Sequence, residues 1–272
     1  MKYIYGPVPS WRLGKSLGVD PVSTEKKTCS FDCVYCQLGR TINPITKRKV
    51  FIKLDDFVKE LILAKKLLRE STLEKGLDEK ELPIDYITFS GLAEPTLAEN
   101  LSELVKVVHQ NMSQPVAILT NSSLMTKEDV LRDLLLFDVV VAKIDAPTEI
   151  LFKKINRPFV NYGIEKIIEQ IKIFSKNFNG RLELQMMFVD ENKHFAKELV
   201  DIAKEIKPYR VQLNTPLRPC SVPPLSVSEM EHIEKEFKEL NIINVYKSER
   251  PKVVILNERE TRRRRPDPYK LL

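Results

Sequence analysis

No apolar run in this 272-residue sequence approaches the roughly twenty residues that cross a bilayer as a helix, so no membrane partner is expected. The first twenty residues, MKYIYGPVPSWRLGKSLGVD, carry two prolines and no apolar stretch followed by a small-residue cleavage site. That is unlike a secretion signal, and a cytoplasmic protein is expected. Cysteine is scarce: there are four, three of them within eight residues and Cys220 remote. In a chain without a secretion signal this clustering points to metal binding over a disulfide framework. Internal repeats and low-complexity segments are missing apart from the arginine run at 262–265.

What is present is ordinary globular material, 43% hydrophobic and 30% charged residues, with an uneven net charge of +6. Residues 1–53 hold ten Lys or Arg against three acidic residues, a net of +7. Residues 248–272 hold eight against four, a net of +4, which leaves the middle at −5. Basic ends on an acidic body suit contact with a polyanion; a solvated, lysine-rich surface is the plainer reading.

Apolar runs alternate with helix-like segments, the pattern of βα units around a parallel sheet. Strands are expected at 16–22, 84–90, 116–120, 138–144, 182–190 and 209–214. Between them, Phe57, Leu61, Ala64 and Leu68, then Ile164, Ile167, Ile168 and Ile171, then Leu199, Ile202 and Ile206 form helical stripes that read as core. Capping boxes are expected at Thr96 to Glu99 and at Ser226 to Glu229. The segment TPLRPCSVPP packs four prolines into ten residues, a stiff connection closing the sheet region. The expected fold is therefore α/β, a partial (β/α)6 TIM-type barrel over 1–220. A helix at about 226–240, short strands and a basic tail form a C-terminal extension over 221–272.

In TCSFDCVYCQLGR, Cys29, Cys33 and Cys36 have the spacing C-x3-C-x2-C. Three thiolates can hold three corners of a cubane iron–sulfur cluster and leave the fourth iron open for chemistry. A zinc site would need a fourth ligand from Cys220, His109, His194 or His232, and the second short ligand pair usual for zinc is missing. Cys220 itself reads as a buried spacer, a redox-active thiol or a partial ligand.

The cysteine spacing, with Tyr35 just before its last cysteine, and the later string ITFSGLAEPTL resemble the two signature motifs of the radical SAM superfamily. That resemblance implies a [4Fe–4S] cluster on Cys29, Cys33 and Cys36 and S-adenosylmethionine (SAM) bound to the open iron. SAM is cleaved reductively to a 5′-deoxyadenosyl radical, and a low-potential donor of flavodoxin or ferredoxin type supplies the electron. It also places Tyr35 near the adenine, Gly91 and Glu94 at the SAM amino group, and Asn121 and Lys143 at the ribose or carboxylate. Leu92-Ala93 stands where the motif often has small glycines. Asn121, Lys143, Asp145, Gln185 and Asn214 fall at the C-terminal ends of expected strands, where a barrel of this kind carries its site. Their plainer readings are a turn former for Asn121, a snorkelling lysine, and a helix cap for Asp145.

The strings GPVPSWRLGKSLGVDP, KKINRP and QLNTPLRP resemble a narrower group of short iron–sulfur oxidoreductase-like proteins related to the wyosine-forming tRNA enzymes. Together with the basic ends, this makes radical modification of a nucleic acid, above all tRNA, the leading expectation, with Arg262 to Arg265 as a phosphate footprint. Radical modification of a protein or peptide and a zinc-stabilised RNA-binding protein without activity are the alternatives.

Overall fold

The chain opens with a hairpin in which β1 (Ile4–Ser10) and β2 (Gly14–Val19) run antiparallel, with a register shift between Tyr5 and Val8. The computed structural model describes residues 1–73 and 83–266, so the end of the basic tail, 267–272, lies outside the described residues. A two-residue parallel ladder follows, β3 (Thr28–Cys29) with β4 (Asn43–Pro44). Then come α1 (Leu54–Leu73), β5 (Tyr86–Phe89), α2 (Leu101–Asn111), β6 (Val116–Thr120), α3 (Glu128–Leu134) and β7 (Val139–Lys143). The chain continues through α4 (Glu149–Ile155), α5 (Ile164–Asn177), β8 (Arg181–Met187), α6 (Ala196–Ile206) and β9 (Arg210–Asn214). It ends with α7 (Val227–Glu236), β10 (Ile242–Asn244) and α8 (Glu258–Arg264).

Eight strands make one sheet in the order β1-β2-β5-β6-β7-β8-β9-β10, parallel throughout except for β1. The six expected strands are β2 and β5 to β9, and the curled sheet is the expected partial barrel. β1 escaped the sequence pattern because Gly6, Pro7 and Pro9 interrupt it, and prolines are tolerated only at an edge. The apolar run at 253–256 forms no strand; instead Leu256 N–H donates to the Gly6 carbonyl at 2.7 Å.

The helix stripes are core as expected: Phe57, Leu61 and Ala64 of α1 and Ile171 of α5 are fully buried. Removing each large side chain of this kind from water contributes about 1.5–3 kcal/mol. β8 shows how the inside of the barrel is filled. Leu182, Leu184 and Met186 pack into the helix-facing core, while the alternate residues Glu183 and Gln185 are buried as well. Glu183 accepts two bonds from Arg210 at 2.9 Å and one from Gln212 at 2.6 Å, so the polar set is satisfied within the barrel.

The sheet is open between β1 and β10, and the C-terminal segment spans the gap. It leaves β10 at Asn244, reaches β1 by Leu256, and then docks α8, where Thr261 Oγ1 accepts from Gly6 N–H at 2.8 Å. Trp11, from the β1–β2 turn, packs with Leu217 and Val245 from the far side. At the joint, Arg264 and Asp20 form a fully buried ion pair at 2.8 Å, and Gly91 leaves room for that carboxylate: a Cβ there would stand 2.2 Å from Asp20. No helix among the described residues is long and apolar enough to cross a membrane.

The capping box expected at Thr96 is not formed. Thr96 donates to Glu94 at 2.7 Å, within a one-turn 3-10 helix over Pro95–Leu97, and α2 starts later. The box at Ser226 and Glu229 is present at the start of α7.

Candidate active site

The loop carrying the three cysteines is fastened at its start and in its middle. Glu94 N–H donates to the Thr28 carbonyl at 3.3 Å, tying the start of the loop to the segment after β5. Val34 N–H donates to Ile155 at 2.9 Å, seating the middle on the C-terminus of α4, where Phe31 also meets Phe152 edge-on at 5.3 Å. A turn closed by Cys36 N–H on the Cys33 carbonyl at 3.1 Å then brings the third thiol round. All three thiols are free and partly buried. Burial, with Glu94 next, pushes the Cys29 thiol up to about 12, and burial raises Cys33 too, so loading a metal here must release protons.

Two amides steady the sulfurs. Asn121 Nδ2 lies 3.5 Å from Cys29 Sγ and donates to Ser30 Oγ at 2.9 Å; Asn156 Nδ2 lies 3.5 Å from Cys33 Sγ. Lys27, which the sequence reading passed over although it stands two residues before Cys29, is buried, and its Nζ donates to the Gly39 carbonyl at 2.9 Å. Burial opposes its charge, but the three cysteines outweigh that and hold its pKa above the ordinary value.

Glu94 is 3% exposed, and both carboxylate oxygens are held. Oε1 accepts from Thr120 Oγ1 at 2.6 Å, Thr96 Oγ1 at 2.7 Å and Thr96 N–H at 3.1 Å; Oε2 accepts from Asn121 N–H at 2.7 Å. Oε1 is thereby saturated, and Oε2 keeps a lone pair for one more donor. Burial raises the Glu94 pKa against these bonds, which pull it down.

Tyr35, Asp145 and Asn156 form a second unit. The Tyr35 hydroxyl donates to Asp145 Oδ2, which also accepts from Asn156 Nδ2 at 2.8 Å, while Lys143 Nζ sits 4.4 Å from the Tyr35 ring centroid and 3.8 Å from Asp145. Burial, then Asp145, holds the Tyr35 pKa well above its ordinary value. Asp145 is not a helix cap, since its other oxygen takes Met187 N–H at 2.9 Å and Thr148 caps α4.

A cavity of about 270 Å³ gathers these parts. Its lining includes Cys29, Cys33, Cys36, Tyr35, Gly91, Glu94, Asn121 and Lys143, and also Gln185 and Asn214. Asp145 stands behind Tyr35, outside the lining. Three thiols on one short loop facing one cavity suit the corners of a cubane cluster. Among the described residues, no three His, Cys, Asp or Glu side chains converge as a single ion would require. His109 and His232 are occupied elsewhere by the Leu136 and Ser228 carbonyls.

The arginine run does not form the expected footprint. Arg264 is buried against Asp20 and Glu260, Arg263 reaches Glu260 and the Thr24 carbonyl, and exposed Arg262 pairs with Glu258. Helical spacing sends neighbouring residues to different faces, so the four cannot act as one patch.

The profile described as Radical SAM superfamily matches residues 27–206, from Lys27 before the first cysteine to the end of α6. The chain belongs to the radical SAM superfamily. As a radical SAM protein it is an enzyme of SAM-dependent radical chemistry that uses a [4Fe–4S] cluster and SAM. It is also a UPF0026 family member. It is 40% identical over 238 residues to UPF0026 protein MJ1312 of Methanocaldococcus jannaschii, covering 86% of this chain and 70% of that protein. It is 35% identical over 217 residues to UPF0026 protein slr1464 of Synechocystis sp., covering 79% and 76%. Among solved structures, Streptococcus suis SuiB bound to S-adenosylmethionine aligns with a TM-score of 0.60 at 14% identity. That alignment covers 80% of this chain and 48% of SuiB, so the radical SAM chain here spans about half of that protein. The likeness is one of fold, a radical SAM partial barrel.

Proposed function

We propose that this chain is a radical SAM enzyme acting on a nucleic-acid base, with tRNA the first substrate to try. In this reading Cys29, Cys33 and Cys36 hold three corners of the cluster. When bound, the cluster supplies the electron that cleaves SAM to methionine and a 5′-deoxyadenosyl radical, which takes hydrogen from the substrate. Lys27 balances the thiolate charge. Glu94 offers the free lone pair of Oε2 to the SAM amino group, at a position fixed by four donors. Gly91 stands beside that group, Tyr35 bounds the adenine end, Lys143 over the Tyr35 ring reaches the ribose or carboxylate, and Asn121 steadies both Glu94 and Cys29.

The observation that carries this reading is the convergence on one cavity of every residue drawn from the two motifs. A nucleic acid is favoured because, beyond the residues given to SAM and the cluster, that cavity is lined by Arg12, Arg218, Arg250 and Arg265. The strings shared with the relatives of the wyosine-forming enzymes support the same substrate. A flavodoxin- or ferredoxin-type protein is the expected electron donor.

The test is anaerobic reconstitution with iron and sulfide, addition of SAM and a strong reductant, and chromatography for 5′-deoxyadenosine, with Cys33→Ala beside the wild type. Product in the wild type alone supports the assignment; equal product in both ends it. Stimulation by tRNA supports the substrate, whereas stimulation by a peptide fraction and not by tRNA replaces it with the peptide reading.

A further inference from the structure

The cavity has a second wall that the SAM assignment leaves unused. Arg12 from the β1–β2 turn, Arg250 from the segment crossing the open seam, and Arg265 just after α8 all line it, beside Arg218, whose Nε donates to the Pro266 carbonyl at 2.7 Å. Arg12 lies far from the others in sequence and meets them only because the C-terminal segment runs from β10 back to β1.

The other inward arginines, Arg264 of this same cavity among them, are neutralised: Arg210 by Glu183, Arg264 by Asp20 and Glu260, Arg48 by Asp129 and Asp133. Among the described residues, partly buried Arg12 and Arg265 and the exposed Arg250 at the cavity rim make no such ion pair. Arg12 has only a 3.5 Å bond to Gln212 and its stacking on Trp11, and the buried Nε of Arg265 has no hydrogen-bond partner. The group also repels itself. Burial first, then Arg265 and Arg218, lowers Arg12 to about 9 against the opposing pull of Glu183, and Arg265 is lowered by burial and by Arg250. Guanidinium groups gathered with no carboxylate in an ion pair with them are costly unless an anion joins them.

We propose that Arg12, Arg250 and Arg265 form the substrate's phosphate subsite, so that the radical SAM reaction is performed on a phosphate-bearing molecule anchored at this wall. A carboxylate brings one negative charge to a group of several cations. A phosphate brings close to two, or one at each link of a nucleic-acid backbone, with oxygens suited to the paired N–H groups of arginine. The inference rests on the cavity's being the reaction chamber, and it deepens the substrate reading: the phosphate is held on one wall while the group to be modified reaches toward SAM. A nucleic-acid backbone and a free phosphorylated metabolite share this chemistry.

The full chain, anaerobically reconstituted, would be titrated with inorganic pyrophosphate and separately with tRNA. Calorimetry and the fluorescence of Trp11, the single tryptophan, would be followed; its ring centroid lies 4.9 Å from the Arg12 guanidinium carbon. Saturable pyrophosphate binding is expected, weakened about tenfold or more by Arg250→Gln and by Arg265→Gln and unchanged by Arg262→Gln, whose side chain is 63% exposed and outside the lining. Pyrophosphate that displaces tRNA identifies a nucleic-acid backbone; binding of pyrophosphate without tRNA identifies a metabolite. Absence of saturable binding to the wild type, or equal loss with Arg262→Gln, overturns the subsite. Iron and sulfide measured in the same samples separate the two readings: a cluster without phosphate binding sinks only this inference, and phosphate binding without a cluster sinks the proposed function and leaves the three arginines an anion site with no radical reaction attached.

Discussion

The two walls of the cavity are built on opposite principles. On the cysteine wall, Glu94 accepts four hydrogen bonds, Asn121 and Asn156 reach the sulfurs, and Tyr35 rests on Asp145, so each polar group has its partner in place. On the arginine wall, three guanidinium groups face the same space and, among the described residues, no carboxylate forms an ion pair with them. A satisfied polar network is rigid and specifies one geometry, as a resident cofactor needs. An unsatisfied one stores unfavourable energy that only a ligand relieves, as a transient substrate allows. Between the walls, the buried Asp20–Arg264 pair clamps the C-terminal segment to the barrel.

This contrast predicts effects that differ in size and in sign. The largest is Cys33→Ala, expected to reduce cluster iron and sulfide and 5′-deoxyadenosine to background; a full complement of iron and sulfide in that variant would break the assignment of the cysteine wall. Next, Asp20→Asn leaves Arg264 charged and half-partnered in the interior, a loss of about 3–5 kcal/mol in urea unfolding. The C-terminal segment should then become accessible to protease before the barrel does. Third, Glu94→Gln should cost about 1.5–3 kcal/mol, because an amide hydrogen replaces the oxygen that accepts from Asn121 or from the threonines. Reconstituted Glu94→Gln should retain its iron while SAM affinity falls, and unaltered SAM affinity would leave Glu94 with a purely structural role. The smallest effect has the opposite sign. Arg265→Gln removes a buried unsatisfied N–H and a repelling charge and should raise the unfolding free energy of the ligand-free protein by about 1 kcal/mol. A loss instead would show that the arginine wall is as well satisfied as the other.

Much of the first wall was legible in the sequence. Cys29, Cys33 and Cys36 sit within eight residues, Gly91 and Glu94 within four, and each sits at the end of a strand or on the loop after it, so local spacing predicts local geometry. Six strands and the main helices were legible for the same reason, since periodicity is a property of neighbours. Lys27 carried a local signal too, adjacent to the motif, but a lysine in a basic segment looks like any solvated charge. The capping box at Thr96 failed because Glu94, two residues earlier, offers the threonine hydroxyl a closer acceptor than a helix terminus would.

The second wall gave no such signal. Arg12 and Arg250 are separated by most of the chain, and the run at 262–265, which looked like one patch, is divided by helical geometry into an exposed residue, a buried strut and a cavity residue. Strand β8 misleads in a similar way: LELQMM alternates as a half-solvated strand does, yet both of its faces are buried, because the sheet curls and Glu183 finds Arg210 inside. Composition, periodicity and two short motifs thus determined the α/β half-barrel and the radical SAM chemistry, since those depend on residues close in sequence. Tertiary structure alone decided which charges are paired and which face the cavity, because pairing depends on where residues 245–266 cross the open seam.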